Sequence, residues 1–268
     1  MKIIKEIKDL RYLSWSKSRQ SSGTAGSYLK SYSYENGIKI YYKLSNFDEE
    51  NSSFGYEAFN EIIASKILEQ LNYRHLDYNL VHSLITIKNK DYHTFVNYTY
   101  DFKKPGETKI TLENFYDLNK TENEGILEFC SRYDFIDDIY HMIILDYIIL
   151  NRDRHGANIE IIYNKKSTSY FVAPIFDNGL SLLSPNYKDE DIMNFDINQN
   201  RQVSSFIGES SLEKNILIVP KEYLKNIKID LNIVFAELED ILNPIYKEKA
   251  MKLIERRITE LENIFNQK

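Results

Sequence analysis

The chain has 268 residues, 43% of them hydrophobic and 28% charged, which supports a real buried core and excludes a disordered or fibrous protein. Its 34 basic and 40 acidic residues leave a net charge of -6, and unaided nucleic-acid binding is not expected without an excess of Lys and Arg. The single cysteine, Cys130, excludes an internal disulfide framework and reads as small apolar filler in a reducing compartment.

The N-terminal "MKIIKEIKDLRYL" has charges every few residues and no apolar run of the secretory kind. The greasiest stretch, "MIILDYIIL", is too short to cross a membrane and contains Asp146. A cytoplasmic protein without a membrane anchor is the expectation.

The first hundred residues read as strand-rich. "LRYLSWS" (10–16) is a strand candidate, with Trp15 in the sheet core. The small polar loop "KSRQSSGTAGS" (17–27) follows, then "YLKSYSY" (28–34) as a second strand. Asn36-Gly37 predicts a tight hairpin into "IKIYYKL" (38–44), because both residues tolerate positive φ. In that third strand Ile38, Ile40, Tyr42 and Leu44 share one face, and Lys39, Tyr41 and Lys43 the other. Residues 55–71 predict a helix with Phe59, Ile62, Ile63, Ile67 and Leu71 at helical spacing. Strands at 80–88 and 91–99 follow, joined at Asn89-Lys90.

Pro105-Gly106 breaks the chain in a turn-rich segment. The boundary between a five-stranded first lobe (1–100) and a mainly helical second lobe (101–268) is expected there. Residues 134–150 are apolar on nearly every side, as a buried helix is. "NIEIIY" and "YFVAPIF" predict a strand pair, and the acidic "YKDEDIMNFD" (187–196) a solvated loop. "DLNIVFAELEDIL" and the segment beginning at Pro244 are amphipathic, with Asn243-Pro244 as a helix start.

Polar residues crowd directly behind the buried helix, at Asp153, Arg154, His155 and Asn158, and again at Asp177-Asn178-Gly179. Taken singly, these read as a capped turn and a β-turn. Gly23 and Gly26 let backbone N–H groups approach an anion, yet most such loops are only loops. Lys43 alone reads as a surface lysine, and Glu61, with Glu57 one turn earlier as its rival, as an exposed helix charge.

In chain order the parts carry more. A small-residue loop, a strand lysine and a helix glutamate precede an Asp and an Asn five apart, then an Asp before Gly. Phosphoryl transfer from ATP needs these groups: backbone to cover phosphates, a held lysine, a carboxylate to orient the attacking hydroxyl, and oxygen ligands for Mg²⁺.

With those residues quoted, the chain resembles the HipA-like serine/threonine kinases, whose hallmark is D-x-x-x-x-N-x-D-R-H-x-x-N followed by D-N-G. Here it reads Asp146, Asn151, Asp153, Arg154, His155, Asn158, then Asp177, Asn178, Gly179. "NEIIASKILEQL" (60–71) resembles the family's Glu-bearing helix and favours Glu61 over Glu57. The resemblance implies an α+β, two-lobed protein-kinase-like fold using ATP and Mg²⁺ on a protein with a Ser/Thr acceptor.

Residue by residue, it implies Asp153 as catalytic base, Asn158 and Asp177 as metal ligands, and Lys43 on the phosphates paired with Glu61. Ser22, Gly23, Thr24 and Gly26 would cover the nucleotide. Val96, Asn97 and Tyr98 would be the hinge strand that reads adenine. Asp146, Asn151, Arg154, His155 and Gly179 would support the loop, His155 by hydrogen bonding. Family members can phosphorylate their own phosphate loop, which here offers Ser21, Ser22, Thr24 and Ser27. That loop begins at residue 17, which leaves no room for an antitoxin-binding N-terminal subdomain; a short stand-alone kinase is expected and an antitoxin partner is left open.

Two rival readings stay in view. A lipid or small-molecule kinase shares D-R-H-x-x-N, but usually with D-F-G, and no basic membrane-facing cluster is evident. A pseudokinase acting as an interaction module would more often have lost one of the polar groups.

Overall fold

A computed structural model of the chain describes residues 1–16, 28–225 and 227–266. In chain order, β1 (Ile3–Asp9), β2 (Lys30–Glu35) and β3 (Ile38–Leu44) precede the small ladder of β4 (Phe47–Asp48) and β5 (Ser53–Phe54). Helix α1 (Glu57–Leu71) and the long strands β6 (Asn79–Ile87) and β7 (Lys90–Tyr100) follow. The sheet has five strands in the order β1-β6-β7-β3-β2. β1 runs parallel to β6, and the remaining pairs are antiparallel.

The β2–β3 hairpin turns on Asn36 (φ 50°) and Gly37 (φ 79°), whose left-handed backbone matches the twist of the flanking strands. The β6–β7 turn uses Lys88 (φ 49°) and Asn89 (φ 63°), one residue earlier than expected, and Lys90 already belongs to β7.

The first strand is not residues 10–16. Leu10 and Leu13 leave the sheet and pack beneath it against Ile40, Leu44, Val81, Ile85 and Val96. Only Ser16 bridges to Lys30. The apolar residues there report contact with a core, whereas β1 is an exposed edge strand with little apolar pattern.

The second half comprises β8 (Glu107–Thr111), α2 (Leu112–Asn119), α3 (Ile126–Arg132), α4 (Ile136–Ile148), β9 (Asp153–Arg154), β10 (Glu160–Asn164) and β11 (Ser169–Val172). Then come α5 (Asp189–Asn194), β12 (Ser204–Ser205), α6 (Leu212–Asn215), α7 (Lys221–Leu224), α8 (Leu231–Phe235) and α9 (Pro244–Asn266). β10 pairs antiparallel with both β11 and β8. The acidic stretch at 187–196 is not simply a loop, because α5 buries Ile192 and Phe195 follows it into the core. The amphipathic segment 230–242 forms only the short α8 and a 3₁₀ turn. Helix α9 starts at Pro244 as expected, with Asn243 Oδ1 accepting from Ile245 N at 2.8 Å.

Helix α1 fills the seam between sheet and helices. Its apolar side chains share one cluster with α4, α8 and α9, and every residue from Glu57 to Leu68 is buried, including Glu57, Asn60 and Glu61. The exposed-charge reading of both glutamates is therefore wrong, because the helix has no solvent face there. Cys130 is fully buried, which pushes its thiol up to about 12 and makes it unreactive at neutral pH. Among the described residues no helix is long and apolar enough to cross a membrane.

Candidate active site

The buried helix α4 ends at Ile148, and Leu150 takes a left-handed φ of 52° that turns the chain outward. Asn151 folds back to donate from Nδ2 to Asp146 Oδ1 at 2.8 Å, and its own Oδ1 accepts from Asp153 N at 3.2 Å. Asn158 Nδ2 donates to the Asp153 carbonyl at 2.7 Å. The backbone of Asp153 is thus held on both sides, while its side chain stays one-third exposed.

Arg154 turns inward and joins the two motifs. Its guanidinium pairs with Asp146 at 2.8 Å and donates to Phe176 O at 2.7 Å and Asn178 Oδ1 at 2.6 Å. Burial alone would lower its pKa, but the Asp146 charge outweighs burial and the group stays charged. Arg154 and Asp146 are each about 5% exposed. Replacing Asp146 by alanine would strand a buried cation and should lower unfolding stability by about 3–5 kcal/mol. A shift of the urea midpoint to lower concentration at unchanged slope is the expected measurement.

His155 Nδ1 accepts from Ala157 N at 3.2 Å, which leaves Nε2 to carry the ring proton, 3.7 Å from Asp153 Oδ1. It braces the loop and points a donor at Asp153.

Lys43 reaches into the same region from β3. Its Nζ lies 3.1 Å from Glu61 Oε1 and 2.5 Å from Asp177 Oδ1. Burial pulls the ammonium's pKa down, but the charges of Asp177 and Glu61 more than offset this and hold it well above its usual value. Burial pushes Glu61 up, with Lys43 opposing. Glu61 Oε2 also accepts from Asn178 N at 2.8 Å. Asp177 has a left-handed φ of 59°, and its N–H donates to Tyr78 Oη at 3.1 Å. Gly179 lies so close to α1 that a Cβ would press on Glu57 Cβ at 3.2 Å.

A cavity of about 220 Å³ opens between sheet and loop, lined by residues that include Lys43, Asn97, Asp101, Phe102, Glu160 and Asp177. Asn97 Oδ1 and Glu160 Oε2 are buried without a hydrogen-bond partner among the described residues, so a ligand with polar groups on a largely apolar body suits this space. Val96–Tyr98 cannot serve as a backbone hinge. Asn97 pairs with Lys43 on one side and Leu80 on the other, and Val96 and Tyr98 are likewise flanked by both strands. A central strand has no free ladder groups. The chain leaves the sheet after Tyr100, and Asp101–Lys103 line the cavity instead; the turn signal at Pro105-Gly106 lay just beyond them. Ser21, Ser22, Gly23, Thr24, Gly26 and Ser27 lie outside the described residues.

The donor set suits Mg²⁺. Asp177 offers a carboxylate, and Asn158, whose Nδ2 is used on Asp153, offers an amide oxygen on its other side. No group of three or more His, Cys, Asp or Glu side chains that could cage a metal occurs among the described residues. Mg²⁺ needs none, since phosphates and water complete its shell.

Sequence reasoning passed over Asn60, which sits between the two glutamates. Its Nδ2 donates to Gly179 O at 2.9 Å and Ser181 O at 3.0 Å, and its Oδ1 accepts from Tyr246 Oη at 2.6 Å. The available signal was three polar residues at i, i+3 and i+4 in the first two turns of a helix whose other residues up to Ala64 are apolar.

No protein-family model and no curated protein matches the sequence. Solved structures do. The chain is similar to the Helicobacter pylori proinflammatory kinase CtkA, with a TM-score of 0.61 and 19% identity over 98% of this chain and 100% of that one. It is also similar to a Shewanella oneidensis MR-1 structure, the toxin–antitoxin system HipA and HipB with operator DNA. There the TM-score is 0.52 and the identity 13%, over 94% of this chain and 68% of that one. The fold is the α+β, two-lobed arrangement of the HipA-like kinases.

Proposed function

We propose that the chain is an ATP- and Mg²⁺-dependent protein serine/threonine kinase of HipA-like type. The observation that carries this reading is the position of Lys43 Nζ, in contact with both Glu61 and Asp177 from distant parts of the chain. A lysine held between a helix carboxylate and a metal-type carboxylate, at the edge of a cavity that Lys43 and Asp177 themselves line, is suited to nucleotide phosphates.

In this reading residues 1–100 cover the nucleotide and 101–268 supply the catalytic loop. Asp153 accepts the proton of the acceptor hydroxyl as its oxygen attacks the γ-phosphorus, and ADP leaves. Lys43 orients the phosphates, and Glu61 keeps Lys43 in place. Asn158 and Asp177 would hold Mg²⁺, whose chemistry is to neutralise charge on the transferring phosphoryl group. A phosphate added at Ser21, Ser22, Thr24 or Ser27 would be repelled by the nucleotide's phosphates and restrain activity.

The test is incubation of purified protein with γ-labelled ATP and Mg²⁺. Label on the chain itself or on a generic protein acceptor, abolished by a chelator, is the expected result. ATP binding without any transfer would favour the pseudokinase reading.

A further inference from the structure

Glu57 was the rival candidate for pairing with Lys43, and the structure gives it other partners. Its side chain is 1% exposed and makes no ion pair among the described residues. It is held by hydrogen-bond donors alone. Oε1 accepts from Ser184 Oγ at 2.9 Å and from Tyr187 Oη at 2.8 Å, and Oε2 accepts from Asn46 N at 3.1 Å. A Cβ on Gly55 would overlap both this carboxylate and the Tyr187 ring, so the backbone is shaped around the contact.

The partners come from two distant segments of the chain. Asn46 follows β3, the strand that carries Lys43. Ser184 is 1% exposed, and its carbonyl accepts from Arg152 Nη2. Arg152 immediately precedes Asp153, and its N–H donates to Leu180 O at 3.1 Å. Asn46, Glu57, Ser184 and Arg152 therefore form one unbroken chain of hydrogen bonds from the lysine strand to the loop that carries the base. Asn60 and Glu61 hold the start of the segment at 178–181, and Glu57 holds its far end at 184–187. Burying a carboxylate without a cation costs stability that an apolar residue would not. What the carboxylate supplies is several directed acceptors in one place.

We propose that Glu57 is a positioning residue, acting through Ser184 and Arg152 to hold the Asp153 loop in register with the Lys43 strand. The proposal rests on the kinase reading for its catalytic consequence. Its structural core, that Glu57 orders residues 150–158, can be measured without any activity.

The experiment compares full-length wild type with Glu57→Ala, Ser184→Ala and Glu57→Gln. Two readouts are used: amide hydrogen exchange over residues 150–158, and steady-state phosphoryl transfer from Mg·ATP. Both alanine variants should speed exchange in that peptide by about tenfold and lower kcat by about 10–100-fold, with KM for ATP within about threefold of wild type. Glu57→Gln should recover most of both, because its amide oxygen can face Asn46 N–H while the two hydroxyls turn to accept from its NH₂.

Wild-type exchange at 150–158 in a folded Glu57→Ala protein would overturn the proposal, as would a raised KM at unchanged kcat. If Glu57→Ala does not fold, Ser184→Ala decides, since it removes a single hydroxyl. If the wild type transfers no phosphate, the kinase reading fails and the exchange arm still decides the relay.

Discussion

On the kinase reading, alanine in place of Asp153 should lower kcat for phosphoryl transfer by about 10²–10⁴-fold, the range a lost general base commands, and leave ATP affinity within about twofold. The substitution is a clean one. The Asp153 backbone is held by Asn151 at its N–H and by Asn158 at its carbonyl, so the loop keeps its course without the side chain. Its carboxylate is one-third exposed, and the one ring nitrogen near it among the described residues is His155 Nε2 at 3.7 Å, so no buried partner is stranded. Unfolding transitions should match those of wild type, and isothermal titration with ATP should give nearly the same affinity. A variant that turned over at the wild-type rate would remove Asp153 from the mechanism.

Asp177→Asn should be at least as damaging, by about three orders of magnitude in transfer rate, for a different reason. Asparagine tolerates the left-handed backbone at this position, φ 59°, so the turn survives while the charge is lost. Two things then change. Lys43 keeps Glu61 at 3.1 Å but loses the charge of its closer partner at 2.5 Å. The oxygen set toward Mg²⁺ also becomes neutral. Titrations of ATP with and without Mg²⁺ separate these effects. In wild type Mg²⁺ should strengthen ATP binding, and in Asp177→Asn that gain should vanish. If the gain persisted in the variant, Asp177 would not be a metal ligand.

The second half of the site was legible in the sequence because it is local. Asp146, Asn151, Asp153, Arg154 and Asn158 follow one another within one helix end and its loop, and they make their contacts chiefly within that span. Lys43 and Glu61 were legible only as an order of elements. That Lys43 meets Glu61 follows from the sheet laying β3 over α1, and that it meets Asp177 from the packing of residues 178–181 against α1, contacts with no trace in residue spacing. The hinge was misplaced for a related reason. Strand character at Val96–Tyr98 is plain in the sequence, but whether both edges of a strand are occupied is decided by strand order. Residues 10–16 failed in the opposite sense, since apolar side chains report burial and not the conformation that achieves it.

By itself the sequence determined the chemistry on offer: which acids, amides and cations stand at loop positions behind a buried helix, and which hairpin and helix starts the backbone must make. These are properties of short segments, set by φ preferences, side-chain periodicity and donor inventory. The tertiary structure alone decided which groups meet. Glu57 and Glu61 are one helical turn apart and alike in sequence, yet one faces Lys43 and Asn178 and the other Ser184, Tyr187 and Asn46. In a helix buried on all sides, the neighbours packed around each position assign a carboxylate its partners, and those neighbours come from parts of the chain that local rules do not relate.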